Sequence, residues 1–514
     1  MKKAVRPFVI GSRPIELETI REVALHGAMV SLAPSARKKI NIAYRYLAGR
    51  AKSGETIYGV NTGFGLLSNV RIPEKDLEEL QYNLLRSHAV GTGNPISIPQ
   101  SRAMVLLRAV NLSAGHSGVR VELVEQLIAL LNADVTPWIP EQGSVGASGD
   151  LAPLSHLALV LIGEGRAYFC GKLMDGEKAL KLAGIKPIRL GPKEGLALIN
   201  GTQFMTALGT LALLDAEYLA DIADLSGAIS LEALKGTTAA FDAEIQVVRG
   251  HPGQIHAAAR LRGILSPDGK ESAVAKSHAG CEKVQDPYSL RCMPQVHGAS
   301  RDTLRFVREV LEREANAVTD NPLVFPESGK ILSGGNFHGQ IVAIAMDALS
   351  IATAELASIS EQRIEKLINP ALSGLPAFLV KEGGVNSGFM IVQVAAASIV
   401  SENKTLCHPA SVDSIPTSAD KEDHVSMGAW AARKATLVVT NARRVIAMEL
   451  LAATTGMDFH RPLRSSAKIE ATISTIRKKV KPITRDRTFY LDIAEIENLL
   501  IVRGIDATVR LNQE

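Results

Sequence analysis

The chain has 514 residues, of which 57 are Lys or Arg, 53 are Asp or Glu, and 46% are hydrophobic. A chain of this length and apolar content buries a large core, which excludes a disordered protein and leaves room for two or three domains. The formal net charge of +4 is too small to indicate a nucleic-acid-binding protein. The basic residues between Arg477 and Lys481 are interpreted as a solvated helix end, not as a phosphate site.

The cysteines and the apolar runs indicate where the protein resides. Four cysteines without a CxxC pair are typical of reduced thiols. No apolar run long enough for a signal peptide develops before Arg13. A long uncharged window, residues 383–401, contains Asn, Gln and Ser, which suit a buried helix better than a membrane span. We therefore expect a cytoplasmic protein that does not cross a membrane.

The first 205 residues alternate short helical stretches with glycine-rich loops at residues 58–65, 91–94 and 143–149. A hairpin is predicted at residues 166–174, with its turn near Cys170 and Gly171. Loops of this kind usually carry chemistry on a rigid scaffold. We assign residues 1–205 to a loop-rich N-terminal domain.

The rest of the chain is dominated by apolar residues that recur every three or four positions, the pattern of amphipathic helices. Long helices are predicted at about residues 205–234, 301–318, 341–368 and 427–455. Pro370 should stop the third of these helices, and Gly456 should form a left-handed cap on the fourth. The expected fold is mainly α, with a long-helix bundle in residues 206–514.

Motifs for common cofactors are missing. The sequence has no phosphate-binding loop, no complete dinucleotide fingerprint and no HExxH motif, so neither a nucleotide nor a metal cofactor is expected. Residues 115–119, GHSGV, approach the nucleophile elbow of serine hydrolases, but Val119 replaces the final glycine. A serine hydrolase remains a weak alternative.

The segment GSVGASGDLAPLSH, residues 143–156, has small residues too densely packed for a helix. Its simplest interpretation is a flexible turn. A chemical interpretation is also available, because a tightly folded loop lets the amide nitrogen of Gly149 attack the carbonyl carbon of Ala147. Loss of water from the ring and from the Ser148 hydroxyl would leave an exocyclic methylidene on an imidazolone, an electrophile made from the chain alone.

At this point the sequence resembles the methylidene-imidazolone ammonia-lyases and aminomutases over nearly its whole length, and within them the histidine branch. The resemblance rests on seven ordered blocks, which are YGVNTGFG (58–65), RSHAVG (86–91), ASG (147–149), LINGTQ (198–203), QDPYSLR (285–291), GGNFHG (334–339) and EDHVSM (422–427). It implies a fumarase/aspartase-like helical homotetramer whose sites are shared between subunits. It also implies that the electrophile forms from Ala147, Ser148 and Gly149 without an added cofactor.

The resemblance also assigns roles to individual side chains. It makes Tyr58 the base that removes a weakly acidic proton, and it places Arg291 where a bidentate partner for the substrate carboxylate is needed. The full set of implied site residues comprises the catalytic group Tyr58, Ala147, Ser148, Gly149, Tyr288 and Glu422, and the substrate-binding group His88, Asn200, Gln285, Arg291 and Phe337.

Two of these residues bear on the substrate. His88 matches a position that contacts the substrate ring in histidine and tyrosine lyases, and Glu422 stands where tyrosine and phenylalanine enzymes typically have Gln. The resemblance therefore implies elimination of ammonia from L-histidine to give trans-urocanate. A tyrosine ammonia-lyase, a tyrosine 2,3-aminomutase and a non-catalytic relative are the alternatives.

Two neighbouring residues are open to more than one interpretation. Asp150 either assists ring formation or N-caps the helix that follows it. Lys421 departs from the residue more often seen in histidine lyases, and it either biases Glu422 toward the carboxylate or points to solvent.

Overall fold

The computed structural model describes residues 7–53, 55–281 and 283–509, and 58% of these described residues are helical. The prediction of a mainly α fold is confirmed. The α-helices within the described residues are Leu17–His26, Pro34–Lys52, Leu77–His88, Ile98–Ser113, Val121–Asn132, Leu151–Leu161, Gly176–Leu182, Glu194–Ile199, Gln203–Ala233, Ala243–Val247, Pro252–Leu265, Ala273–Lys276, Tyr288–Arg291, Met293–Ala315, Gln340–Ile368, Pro370–Ser373, Met390–Leu406, Gly428–Asp458, Ala467–Arg477 and Phe489–Ile501.

The strands are short and form small separate sheets. A parallel pair joins Phe8–Ile10 to Val30–Leu32, and an antiparallel pair joins Leu323–Phe325 to Lys330–Leu332. Thr136–Pro137 extends the predicted hairpin, which is confirmed as Arg166–Phe169 paired with Lys172–Asp175. Cys170 and Gly171 both have positive φ angles, 50° and 74°, as a two-residue hairpin turn requires.

Thr92–Pro95 is a strand rather than the loop that its glycine predicted. It pairs antiparallel with Pro140–Gln142, and the register shifts between Thr92 and Pro95. The pairing reaches Gln142, immediately before the small-residue segment that begins at Gly143. The strand pair therefore fixes where that segment starts.

The chain divides into two compact units. The first comprises residues 1–214, 308–347 and 409–434, and the second comprises residues 215–307, 348–408 and 435–514. The small sheets all lie within the residue ranges of the first unit. The predicted boundary at residue 205 stays a prediction.

The four long helices are Gln203–Ala233, Met293–Ala315, Gln340–Ile368 and Gly428–Asp458. Three of them lie within about three residues of their predicted bounds, whereas the helix predicted at 301–318 begins eight residues earlier, at Met293. The predicted cap at Gly456 is wrong, because the Gly428–Asp458 helix continues through this residue. A Cβ at Gly456 would lie 3.1 Å from the Ala233 Cβ, so the glycine serves close packing and not termination.

Two apolar helices bear on the expectation that the chain does not cross a membrane. Among the described helices, Gln340–Ile368 alone is long and apolar enough to span one by length and composition, and 61% of its most apolar window is buried. Residues 390–401 of the uncharged window lie in the Met390–Leu406 helix, and residues 383–389 precede it. Its expected burial is confirmed on one face only, since Ile391 is 64% exposed and Val394 is 52% exposed.

A buried ion pair stabilises the second unit. The side chains of Arg363 and Glu449 are both 0% exposed, and Arg363 Nε lies 2.5 Å from Glu449 Oε1. Glu449 also accepts hydrogen bonds from the hydroxyls of Ser230 and Ser360, each at 2.6 Å. Burial alone would raise the pKa of Glu449, but the Arg363 charge and these hydrogen bonds hold it below its ordinary value.

Candidate active site

The segment predicted to cyclise lies between the strand Pro140–Gln142 and the helix Leu151–Leu161. Gly149 has a φ angle of +74°, and a Cβ there would lie 2.2 Å from the carbonyl oxygen of Gly201. The two glycines also form an isolated parallel bridge. Position 149 therefore accepts only glycine, the residue whose unhindered nitrogen the cyclisation requires.

The surroundings of Ser148 fit the formation of a methylidene-imidazolone from Ala147, Ser148 and Gly149. Within the described part of the chain, no hydrogen bond uses the Gly149 amide nitrogen, so this nitrogen is free to attack a carbonyl carbon. Asn200 Nδ2 donates to the Ser148 carbonyl oxygen at 3.2 Å. Ala147 is buried, which keeps water away from the carbonyl that would be attacked.

Two distant segments hold the start of the loop. The carbonyl oxygen of Gly146 accepts hydrogen bonds from the Ser426 hydroxyl at 2.8 Å and from the Gly339 amide at 3.2 Å. The Met427 amide donates to the Val145 carbonyl oxygen at 2.8 Å. The blocks at 334–339 and 422–427 therefore both converge on the loop.

Asp150 holds the other end of the loop. Its Oδ2 accepts hydrogen bonds from the amides of Phe204 and Met205, at 3.1 and 3.0 Å, in the first turn of the Gln203–Ala233 helix. Asp150 does occupy the N-cap position of the Leu151–Leu161 helix, but its side chain makes no capping hydrogen bond there. Burial raises the pKa of Asp150 to about 7, although hydrogen bonds from Met205, Ser144 and Phe204 oppose the rise.

A cavity of about 500 Å³ opens beside the loop. Four of the predicted site residues line it, namely Tyr58, Ser148, Asn200 and Phe337. The lining that sequence reasoning did not select is mostly small and polar, and comprises Thr56, Thr62, Gly65, Ser68, Asn69, Asn321 and Ser333. The cavity has the size and polarity to receive a small polar molecule.

Tyr58 is positioned by the turn that follows it. Its phenol oxygen accepts a long hydrogen bond from the Gly65 amide at 3.5 Å, and its ring meets Phe64 edge to face at 6.4 Å. These two contacts orient the phenol oxygen of Tyr58. This arrangement suits the predicted role of Tyr58 as a base.

Glu422 contacts the loop directly. Its Oε1 accepts a hydrogen bond from the Ser148 hydroxyl at 2.5 Å, and its Oε2 accepts one from the Thr417 hydroxyl at 2.8 Å. Thr417 and Glu422 also exchange backbone hydrogen bonds across a tight turn. Glu422 is therefore fixed with one carboxylate oxygen facing the residue that would become the electrophile.

His88 ends the Leu77–His88 helix and lies within range of the Glu422 charge. Burial lowers the pKa of His88, while a hydrogen bond to the Leu84 carbonyl and the Glu422 charge oppose the change. Nδ1 lies 2.8 Å from the Leu84 carbonyl oxygen, which can only accept, so Nδ1 carries the proton of the neutral ring. Nε2 is then the nitrogen able to accept a hydrogen bond.

The other three predicted residues belong to the second unit. Gln285 is exposed, Tyr288 is 70% exposed, and the Arg291 guanidinium lies 4.5 Å from the centre of the Tyr288 ring. The cavity beside Ser148 is lined by none of them. Over the described ranges, no group of three His, Cys, Asp or Glu side chains is arranged to hold a metal ion.

Sequence reasoning missed two residues that contact this machinery. Ser144 accepts a hydrogen bond from Gly146 and donates one to Asp150, and Thr417 donates to Glu422. Each lies only a few residues before a matched block, and this nearness is the signal that could have found them. Spacing and composition do not distinguish such hydroxyls from surface ones.

Comparisons with known proteins agree with the geometry. The family model described as aromatic amino acid lyase matches residues 15–478. The histidine ammonia-lyase of Anaeromyxobacter sp. (strain K) is 53% identical over 506 residues, which cover 97% of this chain and 99% of that protein.

Solved structures show the same fold. Histidine ammonia-lyase from Trypanosoma cruzi matches with a TM-score of 0.90 and 45% identity, covering 97% of this chain and 94% of that one. Tyrosine aminomutase from Streptomyces globisporus matches with a TM-score of 0.91 and 38% identity, covering 98% and 100%. Sequence blocks, site geometry and relatives agree, and the chain belongs to the aromatic amino acid lyase family.

Proposed function

We propose that the protein is a carbon–nitrogen lyase that converts L-histidine to trans-urocanate and ammonia, the first step of histidine degradation. The observation that carries this proposal is the contact between Glu422 and Ser148, with His88 in range of the same carboxylate. A carboxylate and a neutral imidazole are suitable partners for the two ring nitrogens of histidine. The histidine ammonia-lyase relatives support the same substrate.

The electrophile is proposed to be a 4-methylidene-imidazol-5-one formed from Ala147, Ser148 and Gly149. When present, such a group supplies an electron-accepting centre that turns a poor amino leaving group into a better one. Tyr58 then takes the proton from the substrate β-carbon, with the Gly65 amide helping to orient its phenol oxygen. Asn200 holds the backbone of the electrophile, and Phe337 forms the apolar wall of the cavity.

The substrate carboxylate needs a permanent positive charge, which we assign to Arg291. Tyr288 and Gln285 are proposed to support the same end of the substrate. All three belong to the second unit, and Tyr288 presents an exposed ring with the guanidinium stacked on it. We propose that in a homotetramer these residues complete the site of another subunit.

We propose a cytoplasmic location for the protein. The four cysteines are all free thiols, and Cys170 and Cys281 are exposed to solvent. Exposed free thiols suit a reducing compartment.

The test is to mix the purified protein separately with L-histidine, L-tyrosine and L-phenylalanine, and to follow both the ultraviolet absorbance of the conjugated acid and the ammonia released. We expect urocanate and ammonia from L-histidine. Coumarate from L-tyrosine, with L-histidine inert, would instead support a tyrosine ammonia-lyase.

The 38% identical tyrosine aminomutase makes one further measurement necessary. An aminomutase would convert L-tyrosine to a β-amino acid without net ammonia release, so products from each mixture should also be separated by chromatography. Silence with every substrate would contradict the proposed activity and leave a non-catalytic relative.

A further inference from the structure

Ser144 lies at the beginning of the loop that carries Ser148 and contacts both of its ends. Its Oγ accepts a hydrogen bond from the Gly146 amide at 3.1 Å and donates to Asp150 Oδ1 at 3.0 Å. A longer contact of 3.4 Å joins the same oxygen to the Gly149 carbonyl oxygen. One half-buried hydroxyl thus connects the residue before Ala147 to the two residues after Ser148.

Both ends that Ser144 connects are themselves fixed. Gly146 is held through its carbonyl oxygen by Ser426 and Gly339, while Asp150 is held at the first turn of the Gln203–Ala233 helix. Asp150 is 0% exposed, so it cannot exchange these partners for water. Without the Ser144 hydroxyl, Asp150 Oδ1 would lose its partner and the ends of the loop would lose their shared contact.

The chemistry of the loop depends on the distance between those ends. In the proposed reaction the Gly149 nitrogen forms a bond to the Ala147 carbonyl carbon. The Ala147 oxygen leaves as water with one proton from the Gly149 nitrogen and one from the Ser148 nitrogen. The Ser148 hydroxyl leaves as a second water with the proton from its Cα, and no oxidant is needed. The first bond joins atoms two residues apart, so it forms only in a tightly bent loop.

We propose that Ser144 is a positioning residue for this cyclisation, holding Gly146 and Asp150 so that the Gly149 nitrogen faces the Ala147 carbonyl carbon. This inference rests on the proposed electrophile. It assigns Ser144 to the maturation of the protein, not to the turnover of substrate. Among the described residues, Ser144 Oγ forms hydrogen bonds only with Gly146, Gly149 and Asp150, and Ser144 does not line the cavity.

The test compares the masses of freshly synthesised Ser144→Ala and wild-type protein over a time course of cell-free translation, using the peptide that contains residues 147–149. Wild-type peptide should lose the mass of two water molecules. Ser144→Ala should lose it about tenfold more slowly, because one buried hydrogen bond no longer favours the bent loop. Ser155→Ala is the matched control, since its hydroxyl bonds only to the Leu151 carbonyl one helical turn away, and it should mature like wild type.

The outcomes separate the two proposals. A wild-type peptide that keeps both waters would refute the electrophile itself. A wild-type peptide that matures together with an equally fast Ser144→Ala peptide would overturn the role of Ser144 alone. If Ser144→Ala does not fold by circular dichroism, the isosteric pair Ser144→Thr and Ser144→Val decides. We expect maturation with threonine, which keeps the hydroxyl, and equally fast maturation with valine would overturn the proposal.

Discussion

The hydroxyl of Ser148 donates a 2.5 Å hydrogen bond to Glu422 Oε1, although 274 residues separate the two in the sequence. This hydrogen bond joins Ser148, which is proposed to become the electrophile, to Glu422, which is proposed to select the substrate.

Ser148→Ala should reduce ammonia release by on the order of a thousandfold or more, because alanine has no hydroxyl to lose and no methylidene can form. The Ser148 side chain is only half-buried, so the fold should survive. Steady-state ammonia release and circular dichroism check both points. Near-normal turnover in this variant would contradict the assignment of residues 147–149.

Glu422→Gln should lower kcat/KM for L-histidine about a hundredfold, because the proposed charge-assisted hydrogen bond between Glu422 and the substrate imidazole becomes a neutral one. Any activity toward L-tyrosine should fall much less. The measurement is kcat/KM for both substrates in both proteins. Equal losses would show that Glu422 does not select the substrate ring.

Thr417→Val should lower kcat/KM for L-histidine about tenfold, because Glu422 Oε2 loses the hydroxyl that orients it. The turn between them is strained, with positive φ angles at Ser418, Ala419 and Asp420. Thr417→Ser keeps the hydroxyl and should restore the rate. A serine variant as slow as the valine variant would assign the loss to packing instead.

Asp150 predicts a pH dependence of stability. Its folded pKa, about 7, lies above the ordinary value of 3.8, so the folded state retains a proton that the unfolded chain releases. The protonated Asp150 therefore contributes fully to the free energy of unfolding below about pH 4, and this contribution is lost as the pH rises through about 7. The free energy lost is on the order of 4 kcal/mol. In Asp150→Asn, the decrease in stability with rising pH that Asp150 causes should disappear. Denaturation midpoints measured between pH 5 and about 8 give the slope of stability against pH in both proteins. An unchanged slope would contradict the prediction.

Glu449→Ala should lower the free energy of unfolding by about 3–5 kcal/mol, because it leaves the Arg363 charge buried without its partner. Denaturant unfolding measures the loss. Arg313→Met is the control, since Arg313 and Glu309 form an exposed pair, and it should change stability by less than about 1 kcal/mol. Similar losses of unfolding free energy in the two variants would mean that the burial of an ion pair does not determine how much its removal destabilises the fold.

The long helices were predictable because their apolar residues repeat at helical spacing, and burial along Gln340–Ile368 follows the repeat. Gly456 was misread because its role depends on Ala233, which no local pattern indicates. Thr92–Pro95 was missed for a similar reason, since its pairing partner Pro140–Gln142 lies far along the chain. Local spacing predicts elements well, but not what a single glycine packs against.

The residues of the candidate site could be selected from the sequence only through the matched blocks. Tyr58, Ser148, Asn200 and Phe337 lie apart in the sequence and line one cavity, a convergence that no periodicity predicts. Asp150 was singled out from the sequence, but its side chain accepts hydrogen bonds from Ser144 and from the Phe204 and Met205 amides, and not from its own helix. Side-chain hydrogen bonds across dozens of residues depend on tertiary packing, which a linear pattern does not contain.

The bridge between Gly149 and Gly201 has a consequence for quality control. Because the loop gains its bent form only when residues 149–150 meet residues 201–205, the two waters should leave only from chains that have already folded. The mass of the mature peptide would then show whether each molecule had at some time reached its native state. The fraction of dehydrated chains in a preparation would count correctly folded molecules without any assay of activity.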